Sequence, residues 1–299
     1  MANVTTERIR NVVLLSHSGA GKTILSEAML LESGVTNRMG RIEDGTTASD
    51  YEPEESKRGT SVQTSVLNIP WRDHKLNILD TPGYADFRGE VVSGVRVADS
   101  ALIIVAAQAG VEVGTGQMWD LAEFRGMPRL VLISKMDREN ADFDRAMDGL
   151  IERFGRHLVP LQLPIGSEAD FSGAVNVLDQ NAEVPSGMES EVEAARERVI
   201  EAVAEIDDDL ATKYLEGEEI TEEEMRSGLA QGVLEGTLVP VLVGSPLGGV
   251  GVAQVMDMIV DYLPAPNQIG AVTANDPGSD DTSELDCDND GPLAALVFK

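Results

Sequence analysis

Residues 16–23 form a short turn with the residue types that bind phosphate. An apolar run, residues 9–15, precedes this turn, and apolar residues at helical spacing follow it, so the order is strand, turn, helix. Such a turn points backbone N–H groups at a phosphate and adds a lysine for the β- and γ-phosphate charges and a hydroxyl for Mg²⁺. We therefore predict that Lys22 acts catalytically on the phosphates and that Thr23 is a metal ligand. The whole turn is predicted to bind a nucleotide: Ser16, His17, Ser18, Gly19, Ala20, Gly21, Lys22 and Thr23.

Ser16 stands where such turns usually have glycine, so we expect a positive φ there at a cost of about 1 kcal/mol.

A second group of residues is expected to face the same phosphates. Asp80 and Gly83 directly follow an apolar strand, 75–79. We predict that Asp80 holds Mg²⁺ through water and that Gly83 donates its N–H to a γ-phosphate as part of the catalytic set. The alternative is a Pro-Gly β-turn that Asp80 opens. Ser61 ends a polar stretch, 34–61, without clear periodicity, and its hydroxyl is predicted to bind Mg²⁺ while a γ-phosphate is present. The alternative there is an exposed basic turn that enters the next strand.

A third group has the chemistry to select a base. Ser134, Lys135 and Asp137 follow an apolar strand, where Asp137 can accept two hydrogen bonds from the guanine edge and Lys135 can lie along the base. Adenine lacks those donors, and a buried acceptor left unpaired costs about 1–3 kcal/mol, so this group favours guanine. Ser245 and Pro246 follow a later strand, at the place where a backbone N–H would meet the guanine carbonyl.

Strands that alternate with helices predict a three-layer α/β sandwich with a mainly parallel sheet. Between residues 158 and 237 the pattern changes to short strands at 161–177 and then to acidic helical stretches, 189–215 and 221–234, which we interpret as an inserted α+β subdomain. An acidic run from Asp276 to Asp290 is predicted to be mobile. The predicted divisions are a nucleotide-binding domain in two parts, 1–157 and 238–265, the insertion, 158–237, an acidic linker, 266–290, and the first strand of a further domain, 291–299.

The composition limits the classes of partner. The chain has 52 acidic and 23 basic residues among its 299, a net charge of −29. Such a surface repels phosphates, which argues against sequence-specific nucleic-acid binding. It reflects either adaptation to salt or an acidic face for a basic partner. The single cysteine, Cys287, cannot form an internal disulfide, and we find no apolar run that suits a membrane span, so we predict a cytoplasmic protein. The three histidines lack metal-ligand spacing, which leaves zinc-hydrolase chemistry without support.

These motifs stand in the order and at the distances of translation GTPases, and the chain resembles elongation factor G from its start to its end. Further positions that carry the resemblance are 44–47, 50–51, 58–59, 86–87, 108–111, 136–138, 165–166, 171–173 and 292–299. The resemblance implies a P-loop GTPase fold that binds GTP or GDP with Mg²⁺, hydrolyses GTP on the ribosome near the GTPase centre, and is a monomer. It also implies that the insertion meets the ribosomal stalk and that 292–299 begins a β-barrel domain.

Four residues depart from the family pattern. Tyr84 stands where a histidine orients the attacking water, and a phenol, with a pKa of about 10, cannot take the protonation state of an imidazole, at about 6.5. Ser134 replaces an asparagine whose amide braces the site, Pro246 replaces an alanine and Ser61 replaces a threonine. These changes favour a divergent, elongation-factor-G-like branch in which Tyr84 positions the water. Two alternatives stay open: a nucleotide switch with little hydrolysis, and a ribosome-protection or release-type factor.

Overall fold

The computed structural model describes residues 4–218, 220–275, 278–279, 281–288, 291 and 293–299. Within these residues strands and helices alternate along much of 9–158, as the sequence predicts, whereas 158–235 contains three strands followed by three helices. The strands are β1 (Ile9–Ser16), β2 (Ser65–Trp71), β3 (His74–Asp80), β4 (Ser100–Ala106), β5 (Arg129–Ser134), β6 (Leu158–Pro160), β7 (Gln162–Ile165), β8 (Gly173–Asn176), β9 (Val239–Val243), β10 (Val272–Asn275) and β11 (Thr282–Leu285). The helices are α1 (Lys22–Glu32), α2 (Pro53–Arg58), α3 (Arg88–Val97), α4 (Val113–Phe124), α5 (Phe143–Phe154), α6 (Glu189–Ala204), α7 (Asp208–Glu216), α8 (Glu222–Glu235) and α9 (Val252–Tyr262).

Seven strands form the central sheet, in the order β2-β3-β1-β4-β5-β9-β6. Every neighbouring pair is parallel except β2 and β3, which form a hairpin. All seven residues of β4 and all six of β5 are buried, as expected for strands covered on both faces. Parallel strands carry their carboxyl ends to one edge of a sheet. The loops that follow β1, β3, β5 and β9 therefore meet at the same edge, where ligands of such sheets bind.

Helix α1 packs against α9, α3 against α4, and α8 against both α9 and α6. Helices α1, α3 and α4 also contact strands of the central sheet. This arrangement confirms the predicted α/β class with a mainly parallel sheet. The sequence pattern predicts a strand over 62–69 and a helix over 116–124; in the structure the strand begins at Ser65 and the helix at Val113. Within the described residues, no helix combines the length and apolar character that crossing a membrane needs.

The region expected to be an insertion contains the antiparallel pair β7–β8 and the helices α6, α7 and α8. Two features differ from the prediction. Strand β6 joins the central sheet beside β9, so the sheet extends past residue 158. The stretch expected to be helical over 189–215 is two helices, because Asp207 caps α7 by accepting hydrogen bonds from the N–H groups of Asp209 and Leu210.

The C-terminal part contains a short hairpin where the sequence predicts a linker. Strands β10 and β11 pair with Val272 opposite Leu285. Asp276, Asp290 and Pro292, which bound the predicted acidic run and the predicted last strand, lie outside the described residues. Residues 293–299 form no strand, so the β-barrel assignment stays a prediction. The last residue contacts the domain, since Lys299 Nζ donates to Tyr51 Oη at 2.7 Å and to the Thr64 carbonyl at 2.6 Å.

Candidate nucleotide-binding site

A cavity of about 750 Å³ opens at the carboxyl edge of the central sheet. Its volume lies within the range of about 300–1,000 Å³ that is usual for ligand pockets. The structure brings most of the predicted site residues together in its wall: Ser18, Gly19, Ala20, Gly21, Lys22, Thr23, Ser61, Gly83, Tyr84, Ser134, Lys135, Asp137, Ser245 and Pro246. The three other predicted residues, Ser16, His17 and Asp80, are not part of that wall. Motifs that are more than 200 residues apart in the chain therefore line one cavity.

The phosphate end is built by the turn between β1 and α1. Gly19 and Gly21 have positive φ values of 80° and 110°, and Gly21 is the N-cap of α1. The free N–H groups of the first helical turn therefore face the cavity, which favours an anion. His17 does not contribute its ring, because the imidazole lies 3.5 Å from Glu112 and packs against Gly114 at the start of α4.

Ser16 lacks the backbone strain that the sequence predicts for it. It is the last residue of β1 and does not have a positive φ, because the strand continues through residue 16 and the turn takes its positive φ values at glycines. Its hydroxyl donates to the His17 carbonyl at 2.6 Å and accepts a hydrogen bond from Lys22 Nζ at 2.7 Å. Burial lowers the pKa of Lys22 to about 8, against the opposing charges of Asp80 and Asp50. Ser16 thus helps to hold the ammonium group that would neutralise phosphate.

The metal end has an unpartnered carboxylate. Asp80 is 1 % exposed, and neither of its carboxylate oxygens has a hydrogen-bond partner among the residues that the structure describes. Burial raises the pKa of Asp80 to about 6, although Lys22 opposes this shift. Thr23 Oγ1 lies 3.2 Å from Ser61 Oγ, and Ser61 Oγ donates to Asp50 Oδ1 at 2.6 Å.

These groups suit Mg²⁺, which takes oxygen ligands and keeps several waters. In the described part of the chain no three His, Cys, Asp or Glu residues cluster as a metal site. The oxygen groups near the cavity that could serve as donors to such an ion are the hydroxyls of Thr23 and Ser61 and the buried carboxylate of Asp80, to which phosphate oxygens would add.

The loop after β3 touches the phosphate turn. A Cβ atom on Gly83 would lie 2.8 Å from both Lys22 Nζ and Ser18 Cα, so only glycine fits this close approach. The next residue, Tyr84, begins the short 3₁₀ turn Ala85–Phe87, and its half-exposed side chain lines the cavity. Gly83 N–H and Tyr84 are thus placed on the loop that follows Asp80.

The base end is tied to the phosphate turn by side chains. Ser134 Oγ donates to the Ala20 carbonyl at 2.8 Å, with a second acceptor, the Val105 carbonyl, at 3.3 Å. Lys135 Nζ donates to the Gly19 carbonyl at 2.6 Å. The replacement of asparagine by serine at position 134 leaves the bracing of the site in question from the sequence alone; in the structure the hydroxyl at this strand end reaches the turn without an amide.

The carboxylate of Asp137 lies next to two side chains, those of Ser245 and Arg138. Ser245 Oγ donates to Asp137 Oδ1 at 2.5 Å, and Arg138 Nε lies 3.7 Å from Asp137 Oδ2. Pro246 is buried and begins the 3₁₀ turn Pro246–Gly248. Proline has no N–H, so the backbone donor expected at this position is absent.

Sequence reasoning assigned no site role to Asp50 and left its surroundings without structure. Residues 53–58 form α2, which starts with a proline in the first turn and a capping box between Glu52 and Glu55. Glu55 is 1 % exposed and accepts the N–H groups of Val62 and Gln63, next to Ser61. Proline followed by two glutamates was a usable helix-start signal in the sequence, whereas the hydrogen bond from Ser61 to Asp50 depends on tertiary structure.

Comparison with known proteins agrees with this geometry. The family described as "Elongation factor Tu GTP binding domain" matches residues 7–265. The crystal structure of a protein from Thermus thermophilus is 37% identical in sequence and superposes with a TM-score of 0.84. That match covers 88% of this chain and 41% of the Thermus chain, so this chain spans about two fifths of the length of that relative. The predicted P-loop GTPase fold is thereby confirmed. The chain belongs to the family of elongation factor Tu-type GTP-binding domains, the guanine-nucleotide-binding domains of translational GTPases.

Proposed function

We propose that this chain binds GTP with Mg²⁺ and hydrolyses it to GDP and phosphate as an elongation-factor-G-like GTPase of the ribosome. One observation carries the proposal: a buried lysine and a guanine-type aspartate, Lys22 and Asp137, line one cavity at the carboxyl edge of the sheet. The buried carboxylate of Asp80, which has no hydrogen-bond partner among the described residues, ends β3 at the same edge. Phosphoryl transfer needs mainly positioning and charge neutralisation, which such a set supplies.

The residues at the phosphate end divide this work. Lys22 neutralises the β- and γ-phosphates, and the N–H groups of the turn bind their oxygens. Thr23 and Ser61 would hold the metal directly and Asp80 through water; a bound Mg²⁺ would neutralise charge on the transferring phosphate. Gly83 donates its N–H to the γ-phosphate.

Tyr84 is the residue we assign to the attacking water. It follows Gly83 on the loop after β3 and lines the cavity. A phenol can position water through one donor and one acceptor, but at neutral pH it is a poor proton acceptor. We therefore expect slow hydrolysis that the ribosome accelerates.

Guanine recognition is assigned to the base end. Asp137, fixed by Ser245, accepts from the guanine edge, and Lys135 lies along the base. Pro246 weakens this end, because the carbonyl of guanine loses a backbone donor there. The partners we expect are the ribosomal stalk and GTPase-centre region, with the protein a monomer in the cytoplasm.

A second candidate function is a nucleotide switch with little hydrolysis. The half-exposed phenol of Tyr84, in the place assigned to the water-orienting group, favours it. The two functions share every binding contact and differ only in turnover.

The experiment is binding of GTP, GDP and ATP followed by single-turnover hydrolysis, with and without ribosomes. The proteins are the wild type, Tyr84→His, and Tyr214→His as a matched control in α7. The GTPase proposal predicts guanine-selective binding, hydrolysis by the wild type that ribosomes accelerate, and faster hydrolysis in Tyr84→His alone. Equal binding of ATP and GTP contradicts the guanine site. Guanine-selective binding without measurable hydrolysis in any of the three proteins supports the switch.

A further inference from the structure

Glu27 is a buried carboxylate behind the metal end of the cavity. It lies one helical turn after Thr23 on α1, so the two side chains share a face of the helix. Glu27 is 1 % exposed, and no lysine, arginine or histidine among the described residues forms an ion pair with it. Its oxygens instead accept two backbone N–H groups, from Gly40 at 3.0 Å and from Ala48 at 2.5 Å.

Both donors belong to the polar stretch that lacks periodicity, which we call the switch segment (residues 34–61). A Cβ atom on Gly40 would lie 2.4 Å from Glu27 Oε2 and 2.7 Å from the Thr46 carbonyl, so the chain passes between them without space for a side chain. The Thr46 N–H donates to the Arg41 carbonyl at 3.1 Å, which closes the loop. One carboxylate therefore pins both ends of the loop 40–48 to α1.

The clamped loop leads directly to the residues at the metal end. Ala48 is two residues before Asp50, which accepts the hydroxyl of Ser61. The neighbouring Ser49 carbonyl accepts from Ser65 Oγ at 2.5 Å at the start of β2. The segment that carries Asp50 is thus held to α1 on one side and to the sheet on the other, and Asp50 accepts from Ser61, whose hydroxyl lies 3.2 Å from Thr23 Oγ1.

We propose that Glu27 is a positioning residue that latches the switch segment onto α1, so that Asp50 and Ser61 face Thr23 in the state that binds a γ-phosphate. This rests on the proposed function. GDP lacks the γ-phosphate and does not need the ordered segment, so the latch stabilises GTP binding selectively.

The test compares Glu27→Ala and Gly40→Ala with Glu32→Ala, which removes an exposed glutamate from the same helix. Gly40→Ala pushes the loop off Glu27 without changing any charge, so it decides the question if Glu27→Ala does not fold. With Mg²⁺, the affinities for GDP and for a non-hydrolysable GTP analogue are measured by calorimetry. Trypsin cleavage after Arg38 and Arg41 is followed by mass spectrometry on nucleotide-free protein.

We expect both latch variants to lose about tenfold in affinity for the GTP analogue and less than about twofold for GDP. Cleavage after Arg38 and Arg41 should be about tenfold faster than in Glu32→Ala, whose behaviour should match the wild type. The proposal is overturned if the latch variants match Glu32→Ala in both the affinity ratio and the cleavage rate. If the wild type binds no guanine nucleotide, the proposed function fails, and the cleavage rates still decide whether Glu27 holds the segment.

Discussion

The hydroxyl of Ser134 is predicted to contribute directly to nucleotide affinity. Ser134 is 1 % exposed, and its single proton bonds the Ala20 carbonyl at 2.8 Å, within the turn that would bind phosphate. Changing Ser134 to alanine removes this donor and leaves a carbonyl of the turn with one partner fewer. Loss of such a buried bond costs about 1–2 kcal/mol, which corresponds to about five- to thirtyfold in the Kd of GDP.

The assay is GDP titration by calorimetry with Ser134→Ala and with Ser100→Ala as the control. Ser100 is also fully buried and starts the adjacent strand β4, away from the cavity, where its hydroxyl faces the Asn11 carbonyl at 3.5 Å. Both variants lose one buried hydroxyl, but only Ser134→Ala should weaken GDP binding. Wild-type GDP affinity in Ser134→Ala would refute the idea that this side chain braces the turn.

Two further predictions address the base end and the stability of the fold. Changing Pro246 to alanine supplies a backbone N–H at this position, so the Kd of GDP should fall about three- to tenfold. The Kd of ADP should stay the same. An unchanged Kd for GDP would show that position 246 does not face the base. Burial raises the pKa of Asp99 to about 6, against the hydrogen bond from Asn11 and the charge of Arg10. Because the pKa of Asp99 is higher in the folded than in the unfolded protein, this group stabilises the fold fully below its ordinary pKa of about 4. That stabilisation is lost as the pH rises through about 6. The free energy of unfolding of Asp99→Asn, measured in urea, should therefore exceed that of the wild type by about 1–3 kcal/mol at about pH 7.5, and the difference should vanish near pH 4. A difference that does not depend on pH would contradict the raised pKa of Asp99.

The sequence was sufficient for the elements whose pattern is local. The continuous apolar runs of β4 and β5 and the turn before α1 predicted strands, order and phosphate binding, because buried parallel strands and glycine-rich turns have distinctive compositions. Four of the five predicted motifs that line the cavity follow parallel strands, which end at one edge of the sheet. The fifth, at Ser61, precedes β2, which is antiparallel to β3 and so begins at that same edge.

The switch segment was beyond sequence reasoning because its order comes from tertiary contacts. Glu27 reads as one more charged residue on a helix, yet it is buried and accepts N–H groups from Gly40 and Ala48. Ser16 and Ser134 were interpreted as losses relative to a motif. The structure shows that each hydroxyl has a partner, and which partner depends on the geometry at the ends of β1 and β5.

The role of Asp137 tests the central claim, that this cavity recognises a guanine nucleotide. Guanine offers two N–H donors to a carboxylate, whereas xanthine carries a carbonyl in place of the amino group. An asparagine at position 137 can accept from the remaining ring N–H and donate to that carbonyl, while Ser245 Oγ can still donate to its oxygen.

The measurement is therefore the affinity of the wild type and of Asp137→Asn for GDP and XDP. We predict that the wild type prefers GDP by about a hundredfold and that the variant reverses this preference, since one mispaired buried acceptor or donor costs about 1–3 kcal/mol on each side. A wild type that binds both nucleotides equally, or a variant whose preference does not change, would contradict guanine recognition in this cavity.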